Sequence, residues 1–176
     1  MSGPQPTLLL GEWACLGILC QGPTHGFAVA GRLKPDGDVG RVWTMSRPLT
    51  YRALDQLVVK GCAEAVGEEP GTAGGNRTIL APTRLGRRRF RQWVVAPVLH
   101  LRDLRSELLL KLVLAEASGI ETSALVAAQR MAVDELAAAH GDPDPTDVVA
   151  LWRHESAQAA VRFLARLDAS GSLAAR

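Results

Sequence analysis

From Leu8 to about Gln21 the apolar residues run nearly all the way round a helical wheel, with Glu12 the only charge before Cys20. That pattern predicts a buried helix rather than an amphipathic surface one. Thr7 stands where an N-cap hydroxyl would serve the first turn, and Gly22-Pro23 marks the stop. The opening MSGPQP is short and turn-rich and reads as an arm. Thr24 is the expected N-cap of a second helix, His25–Leu33, closed by Lys34-Pro35 and the turn Asp36-Gly37-Asp38. Val39–Met45 alternates loosely and predicts a short extended link. Ser46 next offers an N-cap, with Pro48 in the first turn, where its missing N–H costs little. This third helix runs to about Lys60 and carries Leu49, Ala53, Leu54, Leu57 and Val58 on one face. Gly61 suits a left-handed C-cap. Two strands follow, Cys62–Glu68 and Arg77–Ala81, and the Gly-rich Glu69–Asn76 (EPGTAGGN) fits the tip of a hairpin. Thr83 caps a fourth helix, Arg84–Val95, which Ala96-Pro97 ends.

The rest of the chain is helical in pattern. Leu99–Ser118 predicts one long helix through the dense run Leu108-Leu109-Leu110-Lys111-Leu112-Val113-Leu114, ending at Gly119. Ser123–His140 predicts a second, closed by GDPDP, and Pro145–Ser170 a third, with Val148, Trp152, Ala159, Phe163 and Leu167 near one face. The fold class is therefore mainly α with a small β-hairpin, divided into residues 1–97 and 98–176. Three helices and a hairpin in the first part follow the order of a winged helix-turn-helix, in which the third helix is presented to the major groove of DNA. The apolar surface of the last three helices exceeds what a small winged helix can cover. Because soluble monomers rarely leave large apolar patches exposed, dimerisation is the expected use of that surface.

Charge sharpens this division. The 176 residues carry 20 Lys+Arg and 18 Asp+Glu, a formal net charge of only +2, which excludes a histone-like protein that binds by bulk charge. Residues 1–97, however, hold 12 basic and 7 acidic side chains, whereas residues 98–176 hold 8 and 11. The first part meets an anion on this reading, and the second serves assembly. No apolar run approaches the roughly 18 residues of a membrane span, so no membrane partner and a cytoplasmic location are expected. Cys15, Cys20 and Cys62 are odd in number and lack metal-ligand spacing, which predicts buried, reduced thiols rather than disulfides.

No enzyme constellation emerges, and no cofactor or metal is expected. His25 lacks a nucleophile or carboxylate at a recognisable spacing; a packing or phosphate-contacting role suits it better. His100, His140 and His154 are scattered, and GTAGG is not a phosphate-binding GxxxxGK[ST] loop. Arg87, Arg88, Arg89 and Arg91 form the densest basic run, but consecutive helical positions point in different directions and cannot all face one duplex. Trp93 is expected in the core, while Trp13 and Trp152 are candidates for a small-molecule cavity.

The chain resembles PadR-family transcriptional regulators in four segments in order. Leu16-Gly17-Ile18-Leu19 with Gly22-Pro23-Thr24-His25-Gly26-Phe27 is similar to the family's "LGLL…GP-HGY" opening. SRPLTYRAL (Ser46–Leu54), with Leu57 and Gly61, resembles its "SPGTLYRAL..L...G" reading helix. Thr83, Gly86 and Trp93 match the "T..G......W" after the wing, and Leu104–Leu112 (LRSELLLKL) resembles "LRSEFLLKL". The resemblance spans residues 8–115 and implies a regulator with an extended helical dimerisation domain. Two departures stand out. Arg47-Pro48-Leu49 replaces Pro-Gly-Thr, altering the start of the reading helix, and Asn76-Arg77-Thr78-Ile79 offers one Arg and no Tyr, a thin wing.

The DNA-binding residues expected on this basis are Ser46, Arg47, Thr50, Tyr51, Arg52, Asn76 and Arg77. Arg47 is assigned to a base or phosphate, Tyr51 and Arg52 to phosphates, Thr50 to either, and Ser46 chiefly to capping. Asn76 and Arg77 are assigned to a minor groove or a phosphate. The partners are then double-stranded DNA, a second copy of the chain and a small-molecule effector. The function expected is a dimeric repressor of nearby genes. The rival reading is a ligand-sensing or protein-interaction module that uses the same scaffold without DNA.

Overall fold

The structure is a computed structural model and describes residues 6–71, 75–140, 143–144 and 146–169. The arm 1–5, residues 72–74 of the hairpin tip, most of the GDPDP turn and the expected ends Pro145 and Ser170 lie outside the described residues. The chain divides into two compact units, Met1–Val94 and Val95–Arg176, a little before the boundary expected at Pro97.

The first unit is built on α1 (Leu10–Gln21). Gly11 and Gly17 each cost a helix about 1 kcal/mol. Burying Leu16, Ile18 and Leu19, all 2% exposed or less, returns roughly 1.5–3 kcal/mol apiece, so packing decides the conformation. The helix starts at Leu10, and Thr7 is not its cap. The Glu12 carboxylate reaches back to accept the Leu9 N–H at 2.8 Å, satisfying an orphan donor from inside the helix. Glu12 is only 3% exposed, and its counter-charge is Lys60, whose ammonium lies 2.7 Å from Oε2 and also donates to the Thr7 carbonyl at 3.1 Å.

The second helix is shorter than expected, and Thr24 does not cap it. Thr24–His25 forms a two-residue strand, β1, and His25 is the N-cap of α2 (Gly26–Arg32), accepting the Ala28 N–H on Nδ1 at 3.0 Å. β1 was not legible because two residues carry no periodicity; a free edge of the hairpin creates it. Nor is Val39–Met45 extended. The Trp43 and Val42 N–H groups both bond to the Val39 carbonyl and Arg41 bonds to Gly37, so the link is a series of tight turns. Arg32 pins it by pairing with Asp38, which holds that carboxyl below its usual range.

α3 (Arg47–Val59) follows the expected span. Gly61 has φ +65 and ends it as the sequence predicts. β2 (Ala63–Pro70) and β3 (Asn76–Pro82) form the hairpin, somewhat longer than expected and bulged between Ala65 and Gly67. With β1 on the outer edge of β3 the sheet order is β1-β3-β2, all antiparallel. α4 (Arg84–Val94) is capped by Thr83, whose hydroxyl accepts the Gly86 N–H at 3.0 Å. Gly86 is required there: a Cβ would stand 2.0 Å from the Cys62 carbonyl oxygen. This is a mainly helical unit with a three-stranded wing.

In the second unit, the expected helix Leu99–Ser118 is interrupted. A short turn, α5 (Leu101–Asp103), passes through a π-helical stretch at Leu104–Leu108 into α6 (Leu109–Ala117). α7 (Ser123–His140) and α8 (Val148–Ala169) pack on each other, and Asp147 caps α8 by accepting the Val149 and Ala150 N–H groups. The core is Val98, Leu108, Leu112, Leu125, Val126, Val133, Ala160 and Leu164. Two buried polar side chains fix the entering strand of chain. Gln129 both accepts the Val98 N–H and donates to the Val98 carbonyl. Lys111, 1% exposed, donates to the Ala96 carbonyl and pairs with Glu107, both at 2.8 Å.

Removing one partner of a buried ion pair leaves the other charge uncompensated. Lys60→Ala should therefore destabilise the protein by about 3 kcal/mol in urea unfolding. Glu12→Gln combined with Lys60→Met keeps the bond to Leu9, discards both charges and should recover most of that loss.

Candidate nucleic-acid interface

The N-terminal turns of α3 divide sharply by burial. Ser46 holds the N-cap position, but its hydroxyl makes no capping bond; only its carbonyl acts, accepting the Thr50 N–H at 3.0 Å. Thr50 is fully buried and its hydroxyl donates to that same carbonyl at 3.1 Å. The expectation that Thr50 reaches a base or phosphate is thereby corrected. It sits on the inner face with Ala53, Leu54 and Leu57. Leu49 and Val58, expected on that face, are instead 54% and 43% exposed, because the buried stripe is centred one position further round.

Arg47 and Arg52 project from the outer face and are exposed, as is Tyr51 at 43%. Neither arginine forms an ion pair with any described residue. Tyr51 is positioned by Gly26: a Cβ there would lie 2.7 Å from the Tyr51 ring, so the absence of a side chain lets the ring settle against the start of α2. α3 is thus seated against α2 with its first turn turned outward.

On the wing, Asn76 is exposed, and its amide donates to the Glu68 carboxylate at 2.8 Å. Arg77 is half-buried and stands opposite Glu69 in the β2–β3 ladder. Glu69 also accepts from His25, whose Nε2 lies 3.0 Å from Oε1. The tautomer follows from the bonds: Nδ1 spends its lone pair on Ala28, so the ring proton resides on Nε2. Glu64, Glu68 and Glu69 make β2 acidic, and the one basic side chain of the hairpin comes from β3.

One residue absent from the sequence expectations joins these parts. Phe27 is 48% exposed, and two guanidinium groups stand over its ring, Arg47 at 5.0 Å and Arg77 at 5.3 Å from the centroid. The sequence signal for it was weak, an aromatic two residues past the N-cap. Only the convergence of three elements gives it meaning. The arginine run on α4 also resolves. Arg89 turns inward, 9% exposed, and donates to the Pro6 carbonyl and the Cys62 sulfur. Arg84, Arg87, Arg88 and Arg91 are exposed and, at i, i+3, i+4 and i+7, share one face. The signal was Arg84, which extends the run into a helical stripe. Trp93 is half-buried and stacks on Trp13 at 4.8 Å with the rings 5° from parallel. Trp152 is 72% exposed.

Among the described residues no cluster of three His, Cys, Asp or Glu could hold a metal ion, and no helix is long and apolar enough to cross a membrane. The elements and their outward arginines define a winged helix-turn-helix unit followed by a helical unit. No family model and no curated protein matches the chain. Two solved structures of PadR from Bacillus subtilis are similar to it. The complex with operator DNA is 16% identical with a TM-score of 0.47, covering 90% of this chain and 97% of that one. The complex with p-coumaric acid is 17% identical with a TM-score of 0.44, covering 92% and 98%.

Burial sets the chemistry of two thiols in the same unit. Cys15 is pushed up to about 12 by burial, with the Glu12 carboxylate adding to the effect. Cys20 is pushed up to about 11 by burial, against the opposing pull of Arg87 and Arg91. Because the thiolate is the reactive form, native protein at pH 8 should leave Cys15 and Cys20 unlabelled by a thiol-exchange reagent over minutes. Full reaction is expected only after denaturant is added.

Proposed function

We propose that this protein is a homodimeric, sequence-specific DNA-binding transcription regulator that represses nearby genes and is released by a small-molecule effector. The observation that carries the reading is the outward presentation of Arg47 and Arg52 on the first turns of α3, with no ion pair to either among the described residues. Those are the positions from which a winged-helix reading helix meets base edges and phosphates. Arg47 serves a base or a phosphate, Arg52 and Tyr51 serve phosphates, and Arg77 carries the wing's contact. Ser46 contributes through its backbone, and Asn76 only if it leaves Glu68. The role proposed is that of a binding protein, and the guanidinium groups of this surface suit it to an anionic partner.

Dimerisation is assigned to α8. Val148, Trp152 and Phe163 recur on one face and are 77%, 72% and 41% exposed, while Ala157, Ala160 and Leu164 fill the core from the opposite face. A helix with apolar residues on both faces has more to cover than its own unit supplies. Two reading helices about one helical turn of DNA apart would then read a near-palindromic site. The effector acts by binding one spacing of those helices more tightly than another.

A footprint over the intergenic DNA beside the gene, at moderate salt, tests the reading, and absence of any protected site overturns it. Arg52→Ala should weaken binding to all sequences and lower the salt slope by about one unit. A protein-interaction module instead would keep its partner when Arg47 and Arg52 are both replaced by Ala. Trp152→Glu changes a side chain exposed in the single chain. It should shift sedimentation toward monomer and lower operator affinity by about a hundredfold, the avidity of a linked pair of sites.

A further inference from the structure

Phe27 is a large apolar ring that the core does not use. The buried side of α2 is Gly26, Val29 and Ala30, and Phe27 points away from it, nearly half exposed. The two cations above its ring come from two separate elements, both of which pack against α1 and α2. Arg47 opens α3 and Arg77 lies near the start of β3. Since both distances are measured to one centroid, the two guanidinium carbons are no farther apart than those distances laid end to end.

The platform is held from both sides. Thr24 and His25, immediately before it, pair with Leu80 and Ile79 on β3, fixing Phe27 relative to the strand that carries Arg77. His25 strengthens that link through Glu69, which stands opposite Arg77 in the ladder. On the other side the Tyr51 ring rests on Gly26, fixing Phe27 relative to the helix that carries Arg47. An aromatic face attracts a cation by about 0.5–1 kcal/mol at an exposed site. Two such contacts, with the 3.4 Å approach of Arg77 Nη1 to His25 Nε2, narrow the rotamers open to the two long side chains. They also keep both guanidinium groups at one aromatic ring, where a single anionic backbone can meet the two together.

We propose that Phe27 is a positioning residue that aims the guanidinium groups of Arg47 and Arg77 together at the sugar-phosphate backbone of double-stranded DNA, so that reading helix and wing engage as one unit. The proposal rests on the DNA-binding reading above and names how that surface is organised. Phe27 touches no base; its effect passes through the two arginines. The thin wing is then sufficient, because its single arginine is prealigned rather than recruited on binding.

The test compares full-length wild type with Phe27→Leu, Phe27→Tyr and Arg77→Ala on a footprinted site. Phe27→Leu should weaken binding about tenfold, from the loss of two cation–π contacts, with an unchanged melting temperature. Phe27→Tyr, which keeps the ring, should bind within twofold of wild type. In an Arg77→Ala background the cost of Phe27→Leu should shrink to about threefold, since one of its two cations is already gone. In the free protein, the Hδ resonances of Arg47 and Arg77 should show upfield ring-current shifts that Phe27→Leu abolishes. Wild-type binding undiminished by Phe27→Leu, a cost that does not shrink without Arg77, or unshifted arginine resonances each overturn the platform while leaving the DNA reading intact. Wild type that protects no DNA, with the arginine shifts present, overturns the DNA reading and the proposed anion together.

Discussion

Burial of α1 is the constraint on which the first unit depends. α1 packs against α2, α3, α4 and β3, and it accepts two helix-weakening glycines to do so. Its one charge, Glu12, is tolerated because Lys60 at the C-cap of α3 neutralises it while the same carboxylate caps the helix start. This pair therefore orders three things at once: the entry of the chain through Thr7, the beginning of α1 and the end of α3. A buried pair of this kind contributes little net stability over an apolar substitute. What it supplies is register, since α3 cannot slide along α1 without stranding a charge.

Register matters because the outer face of α3 is useful only if its inner face is fixed. Thr50 shows the principle. A hydroxyl in the first turns of a reading helix invites a base-contacting role, yet burial commits it to its own backbone at Ser46. The same rotation that hides Thr50 turns Arg47 and Arg52 outward. Tyr51 then locks the helix laterally by filling the space that Gly26 leaves open. Phe27 extends this from helix to wing, so that side chains distant in sequence share one surface.

Charge follows the division into units. The basic excess of the first 97 residues is displayed on α3, on β3 and along the Arg84–Arg91 stripe, while Arg89 is withdrawn to satisfy the Pro6 carbonyl. β2 runs against the trend, and its three glutamates restrict the wing's positive contribution to Arg77. In the second unit the buried cations and amides serve the backbone instead: Lys111 and Gln129 bind the chain at Ala96 and Val98 to the helices. The second unit leaves its exposed apolar face on α8.

The hydrophobic pattern by itself determined the helical elements, the hairpin, the Gly61 stop and the change of character near Pro97. Those features depend on periodicity and on backbone chemistry local to a few residues. The family-like segments made Arg47, Tyr51 and Arg52 readable as an outward face for the same reason. Tertiary structure alone decided the rest. β1 exists because β3 offers an edge, His25 displaces Thr24 as a cap because that strand ends there, and the π turn at Leu104–Leu108 has no mark in the sequence pattern. Thr50 lies inside because the buried stripe of α3 is centred one position from the expected one, taking in Thr50 and releasing Leu49 and Val58, and composition does not fix that offset. Phe27 gained its role only when residues 27, 47 and 77 met. A contact between three separate elements has no period and no spacing, so it is written in packing and not in sequence.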